Sequence, residues 1–285
     1  MSGHLRNICY GKHNVRVSKV RRPRKAAANT EQHEFVELSV NVELQGRFDD
    51  AFTSADNRSV VATDTCKNTV YCLAKDHSLD CPESFATTVA EHFVAKYDHV
   101  NQCHIECTER VWERVQDSPH SFVSTSQVTP TASATAARGQ AVQVAAGFEH
   151  LMIAKTTESG FSDFHRCEFR TLPDTSDRIL ASEVGATWSY LSQDIDFAKT
   201  RQAVMTALLA RFTDHYSHSV QETLYFMGQA ALDICPAMNE ITLSMPNKHH
   251  LLFDLSRFDR ENENEIFVVT DEPFGYITAT VSREA

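Results

Sequence analysis

Glycine is scarce in this chain, with 9 in 285 residues. A phosphate-cradling loop needs clustered glycines, because only a residue without Cβ lets successive backbone amides close around an anion. No G-x-G-x-x-G, P-loop, G-x-S-x-G or H-E-x-x-H occurs. Dinucleotide binding of the Rossmann type, a hydrolase elbow and a zinc-protease helix are therefore set aside. There is no run of about 18 apolar residues and no apolar leader segment, so neither a membrane span nor a secretory signal is expected. The 8 cysteines have no framework spacing, which reads as reduced thiols in an intracellular compartment. Acidic residues are missing from positions 1–30, which carry eight Lys or Arg. Setting those eight aside leaves 19 of the 27 basic side chains against 38 acidic ones, so the rest of the chain is strongly negative. It would repel phosphate backbones, and no nucleic-acid partner is expected. The basic start suits a mitochondrial presequence, or else a solvated strand edge or partner-facing arm. Val15, Val17 and Val20 set among Arg16, Ser18 and Lys19 favour the strand. The end, Ser282-Arg283-Glu284-Ala285, is not a peroxisomal Ser-Lys-Leu tail, so a cytoplasmic protein is expected rather than a peroxisomal one.

Hydrophobic residues at 42% and charged residues at 23% are those of a globular protein. Val36, Leu38, Val40, Val42 and Leu44 alternate with polar residues, which predicts a strand with one buried face, as in antiparallel sheets. Pro82 opens a helix whose Phe85, Val89 and Phe93 share a face. Strand-like runs follow near 102–112 and 120–130. The Ser-, Thr- and Ala-rich stretch 124–139 reads as a strand end plus a connection. Strands at 140–157 and 183–196, helices around Val204–Phe212 and Val220–Met227, and strands at 240–255 and 265–282 complete the chain. The order strands, helices, strands is given twice, predicting an α+β fold of two units, 1–139 and 140–285. Helices on one sheet face leave the other needing cover, which predicts an oligomer.

Met245-Pro246-Asn247-Lys248-His249-His250 breaks an otherwise strand-like run with groups that a packing strand does not need. Proline cannot donate to a sheet ladder, so a kink that turns Asn247 and His249 toward a ligand is expected. Lys248 and His250 should then face away. Cys103 and Cys107 on one strand would stand about 13 Å apart, too far to share a zinc. They read as buried small hydrophobes. Taken singly, Thr63-Asp64 reads as a helix N-cap, Ser219-Val220-Gln221-Glu222 as ordinary helix, Asp177-Arg178-Ile179-Leu180 as a short helix with an exposed arginine, and Tyr10-Gly11-Lys12 as a turn before a strand.

Taken together and in order, these segments resemble the urate oxidase (uricase) family over nearly the whole chain. The resemblance is carried by Tyr-Gly-Lys at 10–12, Val-Ala-Thr-Asp-Thr at 61–65, Lys-Asn-Thr-Val at 67–70 and His-Ser-Phe at 120–122. It continues through Lys-Thr-Thr-Glu-Ser-Gly-Phe at 155–161, Thr-Leu-Pro at 171–173, Asp-Arg-Ile-Leu at 177–180, Ser-Val-Gln at 219–221 and Pro-Asn-Lys-His at 246–249. It implies two tandem tunnelling-fold (T-fold) units, antiparallel sheets with helices on one face, in a homotetramer with sites at subunit interfaces. It also implies oxidation of urate by O2 and water to 5-hydroxyisourate and hydrogen peroxide, with no metal and no organic cofactor. On that basis Arg178 and Gln221 grip opposite edges of the planar substrate, Phe161 stacks on it and the Val220 amide adds a donor. Thr63 and Asp64 meet its five-membered ring from a neighbouring subunit. Asn247 holds O2, then water, while Lys12, Thr63 and His249 relay protons. Two departures stand out. Asp163 occupies a position where relatives commonly carry glycine, and Ser121 one where alanine is frequent. The first motivates the alternative of a catalytically silent purine-binding protein. A metal-dependent pterin- or purine-handling enzyme of the same broad fold is the other alternative, and it needs a Cys/His ligand set.

Overall fold

The computed structural model of the chain describes residues 3–22 and 32–283. Arg24 and Lys25 of the basic arm and the last two residues of the non-peroxisomal tail lie outside the described residues. The chain forms two compact units. Described residues up to 147, with 193–198, make the first; residues 148–192, with 199 onward, make the second.

In the first unit, β1 (Tyr10–Arg21) and β2 (Glu34–Gly46) precede the short α1 (Asp49–Thr53), then α2 (Thr63–Asp76) and α3 (Pro82–Lys96). β3 (Val100–Arg110), the two-residue strands β4 (Glu113–Arg114) and β5 (Phe122–Val123), and β6 (Thr129–Ala137) follow. The main strands lie in the order β1-β2-β3-β6, with antiparallel neighbours. The alternation in β2 is realised: Leu38, Val40, Val42 and Leu44 are all buried. They pack against Val70 of α2 and Phe85, Val89 and Phe93 of α3 in one core. Burying each such side chain contributes about 1.5–3 kcal/mol. Pro82 stands in the first turn of α3, where its missing N–H costs no helical bond.

Four expectations need correction here. Residues 129–137 are a full strand, not a connection: Ala132, Ala134 and Ala136 alternate inward, and their small size admits α3 against the sheet. A composition rich in Ser, Thr and Ala hides this, because alanine gives little periodic signal. Within 120–130 only Phe122–Val123 and the start of β6 are strand. Tyr10-Gly11-Lys12 is not a turn but the first residues of β1, with Gly11 opposite Glu43. Thr63-Asp64 is not the N-cap of α2. Ala62 holds that position with no side-chain cap bond, and Thr63 and Asp64 are the first helical residues. A carboxylate in that first turn is favoured by the helix dipole even when it caps nothing.

Gly11 explains its own position. A Cβ there would lie 1.7 Å from the Val42 carbonyl oxygen. Gly11→Ala should therefore destabilise the protein by about 1–3 kcal/mol, read as a lowered urea midpoint at unchanged slope. Since Lys12 is the next residue, the same change should lower activity as well. A variant as stable and active as the parent would show that β1 can shift freely at this point.

In the second unit, β7 (Gln143–Lys155), which begins within the first, and β8 (Leu180–Tyr190) are followed by α4 (Phe197–Thr213), whose first two residues also count with the first unit, and α5 (Val220–Ile234). Then come β9 (Met238–Ser244), β10 (His249–Leu252), β11 (Phe267–Thr270) and β12 (Thr278–Ser282). The order β7-β8-β9-β12 repeats the plan of the first unit. α5 presses on the sheet so closely that a Cβ on Gly228 would meet Val281. β10 and β11 leave the sheet as a separate hairpin. The run 240–255 is therefore two strands, broken after Ser244 where Pro246 cannot extend the ladder. Among the described residues, no helix is long and apolar enough to cross a membrane.

Candidate active site

The second unit holds a cavity of about 560 Å³ bordered by Phe161, Arg178, Val220, Gln221, Asn247 and His249, among others. The sequence scatters these residues over almost ninety positions, and backbone hydrogen bonds gather them. Gly160 N donates to Ser217 O at 2.8 Å, Ser217 N to Glu158 O at 2.9 Å and Arg178 N to Ser159 O at 2.9 Å. Phe161 and Thr175 exchange bonds in both directions, at 2.8 and 3.0 Å. This knot of main chain fixes Phe161, Arg178 and the residues leading into α5 relative to one another. Gly160 is required within it, because a Cβ there would lie 2.3 Å from Tyr216 Oη and 2.9 Å from Thr175 O.

Arg178 does not sit on a short helix, nor is it simply exposed. It lies in extended chain leading into β8, partly buried, since its amide is spent in the knot rather than in a helical turn. Its Nε is buried with no hydrogen-bond partner, and no carboxylate among the described residues forms an ion pair with it. Burial pushes its pKa down from the ordinary arginine value, yet guanidinium stays charged. Its Cζ lies 5.4 Å from the centroid of the Phe161 ring. A charged, half-desolvated fork of donors beside an aromatic face, with no internal counter-ion, is suited to a planar anion.

Helix α5 adds to that polarity. Ser219 is its N-cap, and Ser219 Oγ accepts from Glu222 N at 3.1 Å. Val220 and Gln221 are therefore the first two helical residues, whose amides have no intrahelical acceptor and carry the positive end of the helix dipole. Behind them Thr223 Oγ1 donates to Ser217 Oγ at 2.7 Å, and His215 Nε2 lies 3.0 Å from Thr223 Oγ1. This buried network holds the helix start in place. The Ser-x-x-Glu spacing of a capping box was legible at 219–222, and it turns "ordinary helix" into a helix terminus aimed at the cavity.

The break after β9 brings Asn247 and His249 together. Ser182 Oγ donates to Pro246 O at 2.9 Å, Lys248 N to Ala181 O at 2.9 Å and Asn247 N to Gly275 O at 2.9 Å. Asn247 Nδ2 then lies 3.4 Å from His249 Nδ1. Lys248 does not border the cavity; its Nζ lies 3.6 Å from Asp271 and 3.9 Å from Glu183. His250, expected to face away, borders the same cavity as His249, with its Nδ1 3.0 Å from Lys248 O. The cavity wraps the start of a two-stranded ribbon, and such ribbons twist strongly enough that alternate residues do not keep to flat opposite faces.

The remaining expected residues belong to the first unit. Val61 N donates to the Tyr10 hydroxyl at 2.8 Å, which pins the start of β1 to the chain entering α2. That hydrogen bond is the structural link between Tyr-Gly-Lys and Val-Ala-Thr-Asp. Burial pushes the Tyr10 phenol up to about 12, so it stays neutral. Asp64 bonds Lys67 Nζ at 2.5 Å and Asn68 Nδ2 at 2.9 Å. Lys67, with smaller help from Asn68 and the Lys12 charge, holds its carboxyl below the usual range. A β-bulge follows Lys12, where the register shifts before Val15 and Asn14 takes a φ of 57°. Cys103 and Cys107 are buried on β3, and none of the eight cysteines forms a disulfide. Among the described residues, no three His, Cys, Asp or Glu side chains are grouped to hold a metal ion.

Asp163 follows Phe161 by two residues with a φ of 58°, in the left-handed region that glycine adopts without strain and Asp better than most other residues. The turn is therefore made here without glycine.

The uricase family model matches residues 8–135 and 144–278. Uricase from Arthrobacter globiformis is 39% identical over 275 residues, covering 96% of this chain and 88% of that one. Uricase from Dictyostelium discoideum is 34% identical over 280 residues, covering 96% of each. The crystal structure of the Arthrobacter globiformis uricase superposes with a TM-score of 0.94 at 38% identity, covering 100% of this chain and 96% of that chain. On its sequence, its two tandem T-fold units and these matches, the chain belongs to the uricase family.

Proposed function

We propose that this protein oxidises urate with O2 and water to 5-hydroxyisourate and hydrogen peroxide, without metal or organic cofactor. The observation that carries the reading is the unpaired, partly buried Arg178 guanidinium beside Phe161 and the start of α5, a site built for a flat anion. Family membership supplies the reaction. Arg178 binds one edge of urate, and Gln221, able to donate and accept, binds the other. Phe161 stacks on the ring, and the Val220 amide adds a donor. Asn247 holds O2 above the plane, and later water. Thr63 and Asp64 of a neighbouring subunit meet the five-membered ring. Lys12, Thr63 and His249 form a proton relay that strips a proton from urate and then activates water. The urate dianion gives electrons to O2 itself, so the protein's work is positioning and proton handling.

The assembly we infer is a homotetramer. Its support is the exposed apolar surface of the β10–β11 hairpin, where Leu251, Leu252, Val268 and Val269 need cover. Eight cysteines with no disulfide among them support a reducing, cytoplasmic compartment. The test follows urate absorbance in the ultraviolet together with peroxide release, with EDTA present. One peroxide should form per urate consumed. Folded protein that consumes no urate, or consumes it only until EDTA is added, would overturn the reading.

A further inference from the structure

The Phe161 ring does not stand alone. Phe164 stacks on it with centroids 4.7 Å apart and planes 10° from parallel. Arg170 covers the far side of this pair, its Cζ 4.4 Å from the Phe164 centroid. Arg170 is itself pinned: its Nε donates to Leu172 O at 3.0 Å and its Nη2 to Asp174 Oδ1 at 2.8 Å, with Arg166 3.6 Å from the other oxygen of Asp174. The left-handed turn at Asp163 folds the chain back so that residues three apart can stack. The paired backbone of Phe161 and Thr175 closes the loop at its base. Phe161 borders the cavity and Phe164 does not.

From this column we infer that Phe164 and Arg170 are positioning residues that act through Phe161. The inference rests on the proposed role of Phe161 as the ring on which urate stacks. Phe161 has two faces, and Phe164 occupies one, so ligand is left the other. A ring backed on one side cannot rock away from the ligand plane. The guanidinium at the end of the column also draws π density toward itself, leaving Phe161 a better partner for an electron-rich anion. Neither residue belongs to the set expected to touch substrate, and nothing in the sequence flags them beyond an aromatic three residues from Phe161.

The test measures urate binding without O2, where no turnover occurs, alongside aerobic steady-state kinetics. Phe164→Leu should weaken anaerobic urate binding by about five- to tenfold, the worth of a stacked pair and part of a cation–π contact. KM should rise more than kcat falls. Phe164→Tyr, which keeps the ring, should restore binding. Arg170→Gln should weaken binding by about two- to fivefold. In a Phe161→Leu background, Phe164→Leu should have no further effect, because the ring it backs is gone. Binding within twofold of the parent in both Phe164→Leu and Arg170→Gln would overturn the inference. So would an equal loss with and without Phe161, or a loss confined to kcat. If Phe164→Leu fails to fold, Arg170→Gln on the outer edge of the column decides. A parent protein that neither binds nor oxidises urate would remove the underlying reading of the site, and the inference with it. A parent that oxidises urate normally while both variants bind like it removes the inference alone.

Discussion

Arg178→Gln should lower kcat/KM for urate by roughly 10²–10³-fold while leaving the fold as stable as before, or slightly more so. The loss follows from removing the charged partner of a half-desolvated anion, which costs about 2–5 kcal/mol in comparable interfaces. The stability half of the prediction has the opposite origin. The guanidinium is partly buried, its Nε has no partner, and no carboxylate among the described residues neutralises it. Such a group is desolvated in the folded state without compensation, so a neutral replacement relieves a penalty. The contact with the Phe161 face offsets this by no more than about 1 kcal/mol. Arg178→Lys should rescue little, because a point charge cannot present two parallel donors to one edge of a purine. The measurement pairs steady-state kinetics with thermal unfolding in the absence of substrate. Activity retained in Arg178→Gln would remove the anion-gripping role, and a large fall in melting temperature would mean that the guanidinium is held by the protein for its own sake.

The second large effect concerns Lys12 and Thr63. Lys12→Met and Thr63→Ala should each lower turnover by about 10²–10⁴-fold, the usual worth of a positioned proton-transfer group. The double variant should cost far less than the product of the two. Members of a relay act as a unit, and a chain once broken is not much worse for being broken twice. The structure puts both residues where the Tyr10 hydroxyl pins β1 to the entrance of α2, and the Lys12 charge is felt at Asp64. Losses that multiply independently would argue for two separate contributions, such as charge stabilisation by one and substrate contact by the other.

Much of this is legible in the sequence, and the rest is hidden for separate physical reasons. The alternation of β2 and the Phe85–Val89–Phe93 face of α3 were plain, because large apolar residues at fixed spacing leave a strong periodic trace. β6 was obscured because alanine faces the core there and barely differs in hydropathy from its Ser and Thr neighbours. The set of candidate site residues came from a resemblance, not from spacing. No periodicity links Phe161 to Arg178 or Val220, since what joins them is a handful of main-chain hydrogen bonds between segments distant in sequence. At Asp177–Leu180 and Tyr10–Lys12 long-range backbone partners override the commonest local structure for the residue types. At Thr63–Asp64 the cap falls one residue earlier, on Ala62. At His250 flat strand alternation misleads, because the twisted β10–β11 ribbon turns this residue toward the cavity as well. The capping box at 219–222 is the instructive omission, because its signal was present and purely local.

The knot around Gly160 has a consequence for how such a site can change over evolutionary time. Its bonds run between backbone groups, and substitution of a side chain leaves them intact. What Phe161, Arg178 and Gln221 offer a ligand can therefore be altered one residue at a time without moving the place from which it is offered. Position is inherited from the main chain and chemistry from the side chains, and the two can drift apart. Gly160 is the exception, since any side chain there would collide with the frame itself. A lineage could exchange one flat ligand for another on this frame through a few point changes, provided that this glycine stayed.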